Sequence, residues 1–438
     1  MQNKIRYISF HLALFTLILF AYLTHIVDSF GYMGGFKTYF NAAKCFTSVI
    51  TFVGVIYFIK ASGKPSEFFL HCIVALILGP TLVIYTASDL PHLFAVYSLA
   101  CCLIVIWIPQ MFPLRRTAGF AALTKEKLSW IVVVMVVAIT AATVYFAGGV
   151  SVAADYTAFH EPRRDVSGRL PTIVGYLYST ANDALIPLGV ALGCARRRFG
   201  VVVVLALCGI LLGMSTHNKA PLVVGMVSAT LYFIGCSSAR VIAMLVLLIT
   251  LTVAGITEWF ALKEAGYITS LFTHRAIFIP SQINFAYVQF FEENLFTLWS
   301  QSRISLGLFA KPYGNITHNF LIGFETFGAV DMSANTGWIG SGFANAGIAG
   351  GVVYSALFGT LLAVIDSARQ SDDVGLTVAA WTMMVIGCIA RSADFTNVLI
   401  THGLIILLLL YFSFKPARRQ HYFSSGVGIA GSELRQET

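Results

Sequence analysis

THRAIFIPSQINFAYVQFFEEN (Thr273–Asn294) and NITHNFLIGFETFGAVDMSANTGWIGSGFANAGIAGG (Asn315–Gly351) sit in and just beyond Phe260–Trp338. That segment is long, aromatic-rich and mixed in polarity, and it interrupts a chain made otherwise of apolar runs. Residues are 57% hydrophobic and only 11% charged, against about 25% charged in a soluble domain, so the runs read as membrane spans. An anchor or a simple pore has no need of such an insert. A membrane enzyme does, because a lipid-borne polar substrate has to be held at the boundary between water and bilayer.

A helix of about 20 apolar residues crosses the bilayer core, which predicts an all-α polytopic membrane protein with about twelve spans. They centre on Ile8–Val27, Ala43–Ile59, Phe68–Thr86, Leu93–Phe112, Leu128–Ala147 and Thr172–Cys194. Val201–Met214, Pro221–Cys236, Val241–Phe260, Ile339–Ile365, Val374–Ala390 and Val398–Phe414 follow. The first run is too long for the core of a signal peptide and reads as a retained span. Basic turns such as Lys60 with Lys64, Arg196–Arg197–Arg198 and Lys415 with Arg418 fall on alternate ends of these runs. The positive-inside rule makes that set cytoplasmic, with both termini inside. The expected organisation is a bundle over 1–259, a large outward loop with short helices over 260–338, three spans over 339–414, and a cytoplasmic tail over 415–438.

Eight cysteines lie in or beside apolar runs with neither metal nor disulfide spacing, and read as small core residues. No P-loop, HExxH or GxSxG motif is present, and no DxD or DxE pair to hold a metal-bound nucleotide-sugar lies on an outward turn. The sequence therefore predicts no metal, no cofactor and no nucleic-acid partner. Asp183 and Glu258 are the clearest lone carboxylates in the spans, and Glu258 lies near a predicted end, which weighs against an ion-coupled carrier.

Cations on the outward turns are Arg163, Arg164, Lys219, Arg275, Arg303 and Arg391. Arginine forks and lysine ammoniums suit phosphate oxygens. The alternative is local pairing, Arg163 and Arg164 with Glu161 or Asp165, and Arg391 with Asp394. Arg275 has no acidic neighbour in the residues that follow until Glu292. His274 and His318 titrate near working pH and suit general-base or hydroxyl-orienting roles, with Glu325 and Asp331 as acidic candidates. Tyr287 can stack on a sugar ring or sit among lipid headgroups. Asn335 and Asn345 can hydrogen-bond a glycan or cap a helix. Gly340, Gly342, Gly347, Gly350 and Gly351 enter a span, where small residues permit close helix approach.

Four stretches, Tyr176–Arg198, Gly209–Gly225, His274–Phe291 and Asn335–Gly359, resemble the bacterial O-antigen and capsule repeat-unit polymerases (Wzy-like). The resemblance covers roughly Tyr156 to Ala363. The related O-antigen ligases carry a His–Asn/Ser/Gln element with a following Gly, and His318–Asn319 with Gly328 falls one residue short of that spacing. The resemblance implies a metal-independent glycosyltransferase of the bacterial inner membrane, working on the periplasmic face. Its glycan would pass from undecaprenyl diphosphate to a hydroxyl of another lipid-linked repeat unit, with a chain-length regulator as a possible partner. Arg163, Arg164, Lys219 and Arg391 would bind diphosphate, and Arg275, His318, Asp331 and Glu325 would carry the chemistry. His274, Tyr287 and Asn335 would contact the glycan. A ligase, or a flippase for the same lipid-linked sugar, stays open as an alternative.

Overall fold

The computed structural model describes residues 2–33, 36–114, 125–151, 165–166, 168–235, 237–302, 305–367 and 373–413. All regular structure among them is helical. The helices, in chain order, are α1 (Asn3–Phe30), α2 (Ala42–Phe58), α3 (Pro65–Thr86), α4 (His92–Met111), α5 (Glu126–Ala147) and α6 (172–195). They continue with α7 (Phe199–Thr216), α8 (Ala220–Ile234), α9 (Ser237–Leu262), α10 (269–293) and α11 (His318–Phe327). The last are α12 (Trp338–Asp366), α13 (Asp373–Arg391), α14 (Phe395–Thr401) and α15 (Leu404–Ser413).

Eleven of the twelve apolar runs fall on one helix each, and the last, Val398–Phe414, falls on the pair α14 and α15. Among the described residues, seven are long and apolar enough to cross a membrane: α1, α3, α4, α5, α7, α9 and α12. Three apolar helices, including α2 and α8, are shorter, and the final run is bent by 65° between α14 and its successor. The protein is therefore an all-helical, multi-pass membrane protein. Two groups of helices pack together. In one, α1 lies on α9, α2 on α3, and α4 and α10 on α12; in the other, α6 gathers α5, α7, α8 and α13. Contacts from α3 to both α12 and α13 join the groups.

Three helices widen into π-turns just ahead of a proline. The π segments Val74–Leu78, Ala181–Leu185 and Thr269–Phe278 end two residues before Pro80, Pro187 and Pro280. Proline lacks the N–H that its i−4 carbonyl needs, and its ring crowds that carbonyl. A local change of helix pitch relieves both problems. Two of these segments are stitched together, since Ser281 donates to the Ile77 carbonyl at 3.2 Å and receives a bond from Thr81 at 3.1 Å. The first half of the Phe260–Trp338 insert thus packs into the bundle against α3 and α9.

The predicted Ile339–Ile365 span departs from a straight rod. Ala346 and Gly347 leave helical geometry, Gly347 at φ 59°, a conformation that glycine adopts at little cost. The chain then folds back on itself, so that Trp338 Nε1 donates to Ser355 Oγ at 3.1 Å and Gly342 rests against Gly350 and Gly351. The glycine cluster serves close packing, as its composition leads one to expect. Carbonyls freed at the break find donors in the preceding loop: Thr297 N–H reaches Ala344 O at 2.8 Å, and Leu298 N–H reaches Asn345 O at 3.0 Å.

A Cβ on Gly350 would lie 2.0 Å from the Gly342 carbonyl oxygen, while one on Gly54 would meet nothing within 4 Å. Gly350→Ala is therefore expected to destabilise by about 1–3 kcal/mol through overpacking, whereas Gly54→Ala should gain up to about 1 kcal/mol of helix propensity. Thermal unfolding of both variants in detergent checks this; shifts of the same sign would contradict the fold-back.

Candidate functional site

A polar cavity of about 830 Å³ opens between α6, α13, α14 and the loop segments flanking α11. Its walls carry the amides of Asn182, Asn218, Asn319, Asn335, Asn345 and Asn397, the phenols of Tyr176, Tyr178 and Tyr287, and several hydroxyls. Two carboxylates, Asp183 and Asp394, and two imidazoles, His318 and His402, complete the chemically active lining. Among the described residues no lysine or arginine lines it. Such a surface suits a ligand rich in hydroxyl groups, because amides and phenols both donate and accept.

One wall is built around Asp394. Its carboxylate caps α14 by accepting from Thr396 N–H at 2.8 Å, and it also accepts from Tyr354 OH at 3.0 Å and Asn345 Nδ2 at 3.2 Å. Thr396 Oγ1 donates to it as well. Asn345 stands at the α12 break, where its Oδ1 takes bonds from Thr297 Oγ1 at 2.8 Å and Trp299 N–H at 2.9 Å. Trp299 Nε1 in turn donates to Tyr354 OH at 2.9 Å. Every donor in this network points inward, so Asp394 and Asn345 are positioning residues that tie the helix break to α14.

His318 opens α11 beside that network. Its backbone N–H donates to Gln301 Oε1 at 2.8 Å, and its ring meets Tyr287 edge-on at 5.7 Å. Nδ1 is buried without a hydrogen-bond partner. Burial pushes this imidazole below its ordinary range, and the charge of Asp394 offsets part of that. Tyr287 is itself fully buried and donates to Ala334 O at 3.0 Å, which holds the strand of chain leading to Asn335.

The second wall comes from the π segment of α6. Pro187 has no N–H for the Asp183 carbonyl, and the widened turn carries Asn182 and Asp183 on the cavity side. His402 Nδ1 lies 2.5 Å from Asp183 Oδ2, and Cys388 of α13 stands close by. Below them Tyr178 OH receives bonds from Asn218 Nδ2 at 2.9 Å and Thr216 Oγ1 at 3.2 Å.

Of the residues predicted from sequence, His318, Tyr287 and Asn335 line the cavity together. Lys219 caps α8 between Asn218 and Ala220, both of which line it. Arg275, Glu325 and Asp331 are exposed and do not line it, so the structure does not unite them with His318. His274 is buried elsewhere, stacked on Phe30 with ring centroids 3.7 Å apart. Arg391 turns away from Asp394 and donates from Nη2 to the Ala276 carbonyl at 2.8 Å. That carbonyl is the one from which Pro280 withholds a helical donor, so the guanidinium acts here as a helix clamp. Arg163, Arg164 and Arg303 lie outside the described residues. Sequence reasoning passed over His402, and saw Asp394 only as a partner for Arg391. A polar Asn182–Asp183 pair four and five residues before a proline within an apolar run was the available signal.

Comparison with protein-family models, curated proteins and solved structures returns no significant match.

Arg391→Gln should lower unfolding stability by about 1–3 kcal/mol, the usual cost of an unsatisfied buried acceptor. In a Pro280→Ala background, where residue 280 regains an N–H, the same change should cost clearly less. Equal losses in the two backgrounds, read from denaturation midpoints, would contradict the clamp.

Proposed function

We propose that this protein transfers a glycan from a polyprenyl-diphosphate donor to a hydroxyl of a second lipid-linked saccharide, as a polymerase of oligosaccharide repeat units in a bacterial inner membrane. The observation that carries the reading is the polar cavity at α11, amide- and phenol-lined and walled by membrane helices. In this reading the twelve helical segments cross the membrane with both termini inside, and the cavity faces the periplasm. Substrate glycan lies across Asn319 and Asn335, with Tyr287 behind them holding the chain at Ala334, while the lipid tails stay in the bilayer.

His318 carries an imidazole nitrogen with unused hydrogen-bonding capacity beside the cavity. As general base it takes the proton of the acceptor hydroxyl while the bond between the anomeric carbon and the diphosphate oxygen breaks. The acceptor oxygen forms the new glycosidic bond, and polyprenyl diphosphate departs with the bonding electrons. Lys219, with Arg163 and Arg164, supplies positive charge for that leaving group. Asp394 stays out of the proton transfer and fixes the wall against which His318 packs. Holding two membrane-bound substrates in one cavity lowers the barrier further by proximity.

In the native host, His318→Ala is expected to abolish the ladder of long surface polysaccharide at normal protein level, and Arg275→Ala to leave it intact. A normal ladder from His318→Ala would refute the assignment. Free polymer accumulating on the lipid carrier would instead indicate the ligase reaction, and repeat units trapped on the inner face a flippase.

The depressed basicity of His318 sets a pH signature. The neutral, proton-accepting ring persists below the ordinary value of 6.5, so activity should hold as pH falls to that point and decline only beneath it. An acid limb above that value in turnover by purified protein would contradict His318 as base.

A further inference from the structure

Asp183, Cys388 and His402 come from three separate elements: the π segment of α6, the C-terminal half of α13, and the bend between α14 and α15. Their donor atoms all lie within 4.8 Å of one another, and all three residues line the cavity. We propose that they form a binding site for a divalent cation of the zinc class, with its remaining coordination position open to the cavity.

The donor set argues for that ion. A carboxylate oxygen, an imidazole nitrogen and a thiolate together suit zinc, which takes oxygen, nitrogen and sulfur in tetrahedral array. Bond lengths of about 2.0–2.3 Å put neighbouring donors roughly 3.3–3.7 Å apart, so the cluster is near the needed size. His402 Nδ1 and Asp183 Oδ2 separate by about 1 Å from their 2.5 Å hydrogen bond as the ion enters. Binding displaces the thiol proton of Cys388.

Two further observations point to a built site. Asn182 is 5% exposed and donates from Nδ2 to Asp183 Oδ1 at 2.6 Å, yet its Oδ1 is buried without a partner while the residue lines the cavity. It thus orients the carboxylate and presents an unused acceptor to an ion-bound water or the ion itself. Gly403 follows His402 at φ 77°, and a Cβ there would lie 2.8 Å from Ala184 Cβ and 3.0 Å from Thr180 Cγ2. The missing side chain lets the bend press against the π segment and deliver His402 to Asp183.

Existence of the site is independent of the glycan reading; only its role rests on it. There the ion supplies positive charge to a cavity with no lysine or arginine among its described lining residues, where it meets a phosphate or hydroxyl oxygen of the substrate.

The test uses the full-length protein in detergent micelles, stripped with chelator and titrated with Co²⁺ and separately with Zn²⁺. One equivalent of either metal should bind, and the cobalt form should show d–d bands of a tetrahedral ion with a thiolate-to-metal charge-transfer band. Cys388→Ser should remove the charge-transfer band, and Asn182→Leu should weaken binding about 10- to 100-fold, as loss of an outer-shell partner does. Asp183→Asn, nearly isosteric, guards against misfolding as the cause and should also weaken binding. Failure to bind a stoichiometric metal, or a charge-transfer band that survives Cys388→Ser, would overturn the site. A Cys388→Ser strain that loses the metal but keeps its long polysaccharide would support the site and overturn the ion's role in glycan transfer.

Discussion

A backbone carbonyl released inside a membrane helix has no water to turn to, and the protein must supply another donor or change the helix. Pro80, Pro187 and Pro280 each raise that demand within a helix packed in the bundle. The chain answers with π-turns ahead of all three, and with Arg391 bonded to the carbonyl of Ala276. These answers place function as well as preserve structure. The widening before Pro187 delivers Asn182 and Asp183 to the cavity, and the clamp at Ala276 fixes the end of α13 just before Asp394.

The break in α12 poses the same problem and is solved by the insert. Thr297 and Leu298 give their N–H groups to Ala344 and Asn345, and Asn345 then reaches Tyr354 and Asp394. Backbone satisfaction at one broken helix is thereby coupled to the position of α14 and of the cavity wall. Asn345 and Tyr354 both bond Asp394, whose charge acts on His318. The two carboxylate clusters divide the labour. Around Asp394 the hydrogen bonds are closed and rigidifying; around Asp183 they leave Asn182 Oδ1 and the neighbouring Cys388 open to a ligand.

Apolar runs of span length made the helices readable, because charge is excluded from hydrocarbon whatever the tertiary arrangement. The glycine-rich entry to α12 was readable as close packing for the same local reason. The fold-back at Ala346–Gly347 was not, since nothing in GIAGG distinguishes a kink from a straight small-residue face. Tyr287, His318 and Asn335, which line one cavity, stood out in the sequence because polar and aromatic groups clustered in a conspicuous insert. Arg275 looked unpaired in sequence, yet charge alone does not say which surface a side chain faces. His402 and Cys388 lie more than 200 residues from Asp183, and only the helix packing of α6 against α13 brings such distant ligand atoms within one site. Arg391 illustrates the converse: its nearest acidic residue in sequence was not its partner, because a proline-freed carbonyl was closer in space.

The central claim is that the cavity at α11 receives a lipid-linked saccharide. Site-directed photo-crosslinking tests it most directly, with a photoreactive residue at Asn319 inside the cavity and, as control, at Tyr145, which is 78% exposed on the bundle surface. Purified protein would be irradiated with radiolabelled polyprenyl-diphosphate-linked repeat unit from the native host. Labelled adduct at position 319, competed away by unlabelled substrate and far exceeding that at 145, is the result expected. Equal labelling at both positions, or labelling at 319 that excess substrate fails to displace, would contradict it.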